Sequence, residues 1–224
     1  MNISYADDVT ITVTDGNLNV AVRKMQNYLE HLSLWFRKWH FTLNPNKCSM
    51  QLFTRHRRIP SFSLFLGQSL IAEVKRKRVL GVVFDSPKLT FSEHVKYLKG
   101  VIIRKINILK ALSSRSSGCS RNTLRKIYVA FIRSRLEYGC QILECISDRN
   151  LQILEVMQNT CLRLILGARQ TSPILSMQID AFIPPLSLRF KFLNLKCLVK
   201  LRQRGADDFP VYCCLLYTSD AADE

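Results

Sequence analysis

The strongest constraint on this chain is a change in the period of its apolar residues. From Asn2 to Thr14 the period is two, with Val9, Ile11 and Val13 on one side and Thr10, Thr12 and Thr14 on the other. Alternation of this kind on both sides of Tyr5-Ala6-Asp7-Asp8 predicts a β-hairpin with the two aspartates at or beside its turn. From Leu18 the period lengthens to three and four through Ala21, Met25, Leu29, Leu32, Trp35 or Phe36, and Trp39. That predicts an amphipathic helix of about six turns whose stripe covers a sheet. Trp35 and Trp39 fall on the stripe and are expected in the core.

The front third stays mixed. Asn44-Pro45-Asn46 reads as a turn, Cys48 to Thr54 as a strand, Phe62–Leu66 and Ser69–Val74 as a hairpin across Gly67-Gln68, and Val79–Phe84 as a buried strand. After Pro87 the pattern is helical throughout. Ser92 is the expected cap of a helix carrying Val95, Leu98, Ile102, Ile106, Leu109 and Leu112. Ser120 or Asn122 opens a second, with Leu124, Ile127 or Tyr128, Phe131 and Arg135 on one side. Asp148 is the expected cap of a third, carrying Leu151, Leu154, Met157, Cys161 and Leu164 to a stop at Gly167. A fourth follows Pro184-Pro185, with Leu186, Phe190, Leu193, Cys197 and Leu201. The fold class expected is α+β, a mixed front followed by an all-helical remainder.

With 47% hydrophobic residues the chain can bury a core, and its formal charge of +16 points to a polyanionic partner. Cations gather at Arg55, Arg57 and Arg58, at Lys75, Arg76, Lys77 and Arg78, and between Lys96 and Arg135. Any one cluster is equally compatible with a solvated loop. Cys48, Cys119, Cys140, Cys145, Cys161 and Cys197 form no C-x-x-C pair and have no histidine at metal-site spacing, so they read as small hydrophobes. No run approaches the roughly 20 apolar residues of a membrane span, nor is there a leader. An intracellular protein, nuclear or cytoplasmic and without a membrane partner, is expected. The final eleven residues, Cys214 to Glu224, resemble a translated sequencing adapter. On that reading Asp220, Asp223 and Glu224 are not native, and the remainder is more basic still.

The paired aspartates suit one chemistry in particular. Nucleotidyl transfer relies on two divalent metals about 4 Å apart to neutralise charge, and carboxylates are the hard ligands Mg²⁺ prefers. Neighbouring residues of a strand point to opposite faces, so both carboxylates can serve one metal site only where a turn redirects the backbone. Asp7 is then the primary ligand and Asp8 the weaker or outer partner. A plain solvent-exposed Asp-Asp turn would look the same.

Several ordered motifs resemble one family. Tyr5-Ala6-Asp7-Asp8 resembles the catalytic signature of reverse transcriptases, and Phe41-Thr42-Leu43-Asn44 through Lys47 is similar to the next palm motif of the LINE-type (non-LTR retrotransposon) branch. Leu80-Gly81-Val82 with Asp85, Leu89-Thr90-Phe91 and His94 resembles the stretch leading from primer grip to thumb. Leu136-Glu137-Tyr138-Gly139, Gln158-Asn159, Leu162-Arg163, Leu166-Gly167-Ala168 and Thr171-Ser172-Pro173 resemble the segment that follows. The likeness runs from about residue 2 to about residue 205. Ile142-Leu143 departs from it, standing where these elements usually carry tryptophan.

The resemblance implies a partial palm over 1–86, a helical thumb and following segment over 87–205, a linker over 206–213 and the adapter over 214–224. It implies RNA-directed DNA polymerase chemistry with two Mg²⁺, an RNA template, a DNA primer and dNTPs. Asp7, Asp8 and Lys47 would be catalytic, with Lys47 near the leaving pyrophosphate. Leu80 and Gly81 would hold the primer end, and Lys75, Arg76, Lys77 and Arg78 would bind nucleic acid. His94 reads as structural or as a phosphate contact, and the roles of Glu137 and Tyr138 stay open. The family's site also uses an aspartate from an earlier palm motif, and fingers, that this sequence lacks. The isolated chain is therefore expected not to polymerise, and to depend on the N-terminal fingers and palm of the same polyprotein. The alternative is an inactive remnant that only binds nucleic acid.

Overall fold

A computed structural model describes residues 2–5, 8–56, 60–114, 118–143 and 146–203. Asp7, Arg57, Arg58, Cys145 and the stretches 206–213 and 214–224 lie outside them. The chain mixes helix and strand, in keeping with the α+β expectation, and divides into two compact units. One comprises Met1–Lys77 with Ser86–Lys88, the other Arg78–Asp85 with Leu89–Glu224.

In the first unit, β1 (Asn2–Tyr5) pairs antiparallel with β2 (Asp8–Ile11), with Tyr5 opposite Asp8 and Asn2 opposite Ile11. The period-two reading thus gives the hairpin it predicts. Helix α1 (Leu18–Lys38) starts at Asn17, whose side chain accepts from the Asn19 N–H. Asp15 accepts from the Asn17 N–H in turn and pairs with Lys24 at 2.8 Å. Such a cap satisfies a donor that the first helical turn leaves without an intrahelical partner.

The remaining strands are short. β3 (Ser49–Met50) runs parallel to β6 (Ala72–Glu73), and β4 (Phe65–Leu66) pairs antiparallel with β5 (Ser69–Leu70) around Gly67, whose φ is 62°. The Gln26 side chain extends this sheet by other means, accepting from the Phe65 N–H and donating to the Phe65 carbonyl. Only Ser49 and Met50 of the strand expected at Cys48–Thr54 find a ladder partner. Downstream the chain turns away, and the Thr54 N–H donates to the Pro87 carbonyl.

The core of this unit is small: Leu29, Leu64, Leu66 and Ile71 are buried, with Val22, Met25, Leu43 and Met50 packed against them. It covers the middle of the α1 stripe and leaves its C-terminal third uncovered. Trp35 and Trp39, expected inside, are 53% and 58% exposed and pack chiefly on each other and on Phe36.

The second unit is helical apart from one hairpin. β7 (Arg76–Val79), through which the unit boundary runs, joins β8 (Val82–Asp85) across Leu80-Gly81. The continuous strand expected over Val79–Phe84 is therefore broken by a turn. Helix α2 (Ser92–Leu112) buries Val95, Leu98, Ile102 and Leu109, as its spacing predicts. Ser92 is its first helical residue rather than its cap. That place belongs to Phe91, in a left-handed conformation with φ 54°.

Helix α3 (Arg121–Ile127) is capped by Ser120, whose side chain accepts from the Thr123 N–H. It passes into a π-helical stretch, Tyr128–Arg133, and then into α4 (Ser134–Glu137). The buried residues explain the wider turn. Leu124, Tyr128, Ile132 and Leu136 recur at four, which overshoots the 3.6 of an α-helix and is absorbed by winding more residues into one turn. Phe131, expected on the buried side, is rotated outward to 59% exposure.

After α5 (Cys140–Leu143) comes α6 (Asp148–Leu166). Its cap is Ser147 rather than Asp148, which is its first helical residue, and Gly167 at φ 66° ends it. The sequence pattern does not announce α7 (Ile174–Ala181), because its apolar residues Ile174, Leu175 and Ile179 point outward. α8 (Leu186–Gln203) completes the unit through Leu186 and Phe190. Cys140 and Cys161 are buried as small apolar groups, and burial pushes their thiols up to about 11 and about 12. No helix among the described residues is long and apolar enough to cross a membrane.

Candidate nucleic-acid site

The expected site residues fall in both units. In the first, Asp8 opens β2 and is exposed, opposite Tyr5 in the hairpin register. Lys47 closes a short 3₁₀ turn, Pro45–Lys47, that Asn44 caps by accepting from the Asn46 N–H. The Lys47 N–H donates to the Asn44 carbonyl, and its side chain is exposed. Lys75, Arg76 and Lys77 are exposed as well. Among the described residues no three His, Cys, Asp or Glu side chains converge as a metal ion would need.

In the second unit the structure gathers several motifs into one construction. Leu80 and Gly81 both have positive φ, 47° and 88°, the requirement of the two-residue type I′ turn that fits the twist of its strands. Tyr138 covers this turn. Its hydroxyl donates to the Leu80 carbonyl at 2.6 Å, and a Cβ added to Gly81 would lie 3.1 Å from its ring. Gly139, with φ 72°, approaches so closely that an added Cβ would meet the Val82 side chain at 3.2 Å. Two motifs nearly sixty residues apart thus form a single contact surface, with each glycine at a positive φ and close against the neighbouring side chain.

Glu137 anchors that surface from behind. It accepts from Arg133 within its own helical run and from Arg189 of α8 at 2.8 Å. Burial opposes its charge, but the hydrogen bonds from Arg189 and Arg133 outweigh this and hold the carboxyl below its ordinary range. The role left open for Glu137 is an ion-paired brace.

The next motif is structural too. Asp85, at the end of β8, accepts from the N–H groups of Thr90 and Phe91 and from the Thr90 hydroxyl, shaping the approach to α2. Burial raises its pKa, and these three bonds more than reverse the effect. His94 is buried in the first turn of α2, where its Nδ1 accepts from the Val83 N–H at 3.2 Å. Burial, then the Arg78 charge, lower its pKa and favour the neutral ring. Of the two roles expected for His94, the structural one is observed. Arg78 itself lies over the Tyr97 ring, 4.9 Å from the centroid. The hairpin therefore presents a cation held in place by α2.

Gln158 and Asn159 sit inside the helical core. The buried Tyr128 hydroxyl donates to the Gln158 side chain at 2.7 Å, and Gln158 donates onward to the Pro184 carbonyl at 2.9 Å. A hydroxyl and an amide taken out of water need such partners, so Gln158 ties three segments together.

Comparison with known proteins bears on all these residues together. Over 167 residues the chain is 29% identical to a probable RNA-directed DNA polymerase from transposon X-element of Drosophila melanogaster, covering 75% of this chain and 18% of that protein. It is 28% identical over 163 residues to a probable RNA-directed DNA polymerase from transposon BS of the same organism, covering 72% and 18%. Against the RNA-directed DNA polymerase from mobile element jockey of Drosophila funebris it is 26% identical over 182 residues, covering 81% and 20%. The chain spans about a fifth of the length of these relatives. No family model and no solved structure matches it. The resemblance carried by its motifs is therefore also a likeness over most of its length, and the chain is a relative of the reverse transcriptases of non-LTR mobile elements.

Proposed function

We propose that this chain is the rear part of the catalytic palm, with the thumb attached, of a LINE-type RNA-directed DNA polymerase. The observation that carries the reading is the likeness over about three quarters of the chain to three such polymerases. In it, Asp7 and Asp8 hold Mg²⁺, Lys47 faces the leaving pyrophosphate, and the Leu80-Gly81 turn meets the primer end. Lys75, Arg76, Lys77 and Arg78 contact phosphates of the template–primer, where each contact releases counterions.

The donor chemistry fits in kind, since Asp8 is a hard carboxylate exposed at a hairpin end. Bound Mg²⁺ would neutralise charge on the phosphoryl group and activate the attacking hydroxyl. The protein's own residues orient the partners: the hairpin places carboxylates, the Pro45–Lys47 turn places an ammonium, and the β7–β8 turn offers main chain to the primer. The sequence carries two of the three carboxylates that the family's site uses. The 224 residues alone are accordingly expected to bind a template–primer without extending it.

A primer-extension assay tests this on a chain lengthened upstream along its own reading frame. Extension should appear with Mg²⁺ and dNTPs and fall by about a hundred- to a thousandfold in Asp7→Ala, the scale on which removing a charge-stabilising group acts. Extension that survives Asp7→Ala would overturn the metal-ligand assignment.

A further inference from the structure

From the packing of Tyr138 on the β7–β8 turn, we infer that Tyr138 is a positioning residue for the primer end, acting by fixing the Leu80-Gly81 turn. The inference rests on the reading that this turn meets the primer, and adds to it a residue outside the motif.

The turn needs holding. Leu80 is a branched residue in the left-handed region, a conformation in which the Cβ of an L-residue crowds the following carbonyl oxygen. Three of the four residues of β7 are exposed, so burial of that strand does little to secure it. Tyr138 supplies both restraints the turn lacks. Its hydroxyl holds the Leu80 carbonyl, and its ring closes the space beside Gly81, where a methyl group would have to push it away. An orientation of the main chain is thereby set from outside the hairpin.

Core filling does not account for the tyrosine, because the residue is 51% exposed. Its neighbours, in contrast, are fixed. Glu137 is held by Arg133 and Arg189, and Gly139 lies against Val82. A half-exposed aromatic on a braced support, with its polar atom spent on a turn carbonyl, is built to aim that turn. Leu80 keeps 43% of its surface exposed, leaving the tip of the turn open to a ligand.

The test uses the 224-residue chain and two fluorescent probes. One is an RNA template annealed to a shorter DNA primer, giving a recessed 3′ end; the other is a blunt hybrid of the same sequence. Tyr138→Phe deletes only the hydroxyl and should weaken binding of the recessed end roughly fivefold, the worth of about one hydrogen bond, while blunt-hybrid affinity and thermal stability stay unchanged. Gly81→Ala should give a similar selective loss. The double variant should lose little more than either single one, since both disturb the same contact.

Equal weakening of both probes by Tyr138→Phe, or a fall in stability that accounts for the loss, would overturn the inference by making the tyrosine merely structural. So would a selective loss in Gly81→Ala that Tyr138→Phe does not share, which would leave the primer reading of the turn standing. If neither variant distinguishes recessed from blunt ends, the primer reading of the turn fails and takes the positioning role with it.

Discussion

The two units solve the burial problem differently. Among the described residues, the first holds its strands and α1 around four buried apolar side chains, and leaves Trp35, Trp39, Phe41 and Phe53 exposed. The second closes α2 through α8 around twenty among the described residues, and Gln158 ties the buried Tyr128 hydroxyl to the Pro184 carbonyl. The catalytic carboxylates proposed here belong to the thinly cored unit, and the turn proposed for the primer belongs to the well-cored one. Of the proposed pair, Asp8 is exposed at the start of β2. The element that must hold a direction is braced by helices.

The sharpest way to break this comparison is to cut one core at a time. Leu162→Ala should destabilise the helical unit by about 3 kcal/mol, and Leu29→Ala the first unit by ~2 kcal/mol, where a small core collapses more easily. Trp35 lies in α1 and Trp39 caps its C-terminal end, so both tryptophans of the chain belong to the first unit, and fluorescence follows that unit while far-ultraviolet dichroism follows mainly the second. In urea, Leu162→Ala should move the dichroism midpoint alone. Shifts of both signals together would mean that the units unfold as one.

Glu137→Gln comes next, with an expected loss of about 2 kcal/mol in the dichroism transition, because Arg133 and Arg189 would keep their charges without the carboxylate. Acid should do the same by titration. Glu137 and Asp85 have folded pKa values below their ordinary 4.5 and 3.8, so their stabilisation is complete above those values and is lost as pH falls through the lower folded ones. His94 adds an earlier phase of the same sign. Its folded pKa lies below 6.5, so below that pH the unfolded chain takes up a proton that the folded chain resists. Stability of the second unit should therefore begin to fall below about pH 6.5, and His94→Gln should remove that first phase. A flat profile down to pH 5 would contradict the buried neutral histidine.

The smallest effect sharpens the contrast. Asn17→Ala removes the cap of α1 and should cost about 1 kcal/mol, seen in fluorescence only.

Much of this architecture is legible in the residue order, for local reasons. Period two yields the first hairpin, and a period of three to four yields α1, α2, α6 and α8, because the apolar spacing within each element follows that element's own geometric period. The pattern fails where burial departs from local period. The Trp35 and Trp39 stripe outruns its small core, and α7 turns apolar residues outward. Val79–Phe84 reads as one strand, because Leu-Gly is not among the dipeptides that signal a two-residue hairpin turn.

The site divides in the same way. Motif residues could be named singly, but the contact between Leu80 and Tyr138 spans 58 positions and depends on the helical unit being folded. The only local hint was Gly139 beside Tyr138, a glycine that has since proved to mark a close approach.

The π-helical stretch at Tyr128–Arg133 carries a consequence for chain length. Its wide turn lets Leu124, Tyr128, Ile132 and Leu136 stay buried at a spacing of four. Remove one residue between Tyr128 and Ile132 and the same four side chains fall at spacings of four, three and four, the rhythm of an ordinary α-helix. Within the other helices of this unit a one-residue deletion would swing every later side chain of that helix by about 100° around its axis. Here it would be absorbed, making this turn a place where a helix of the unit can shorten without losing its buried face.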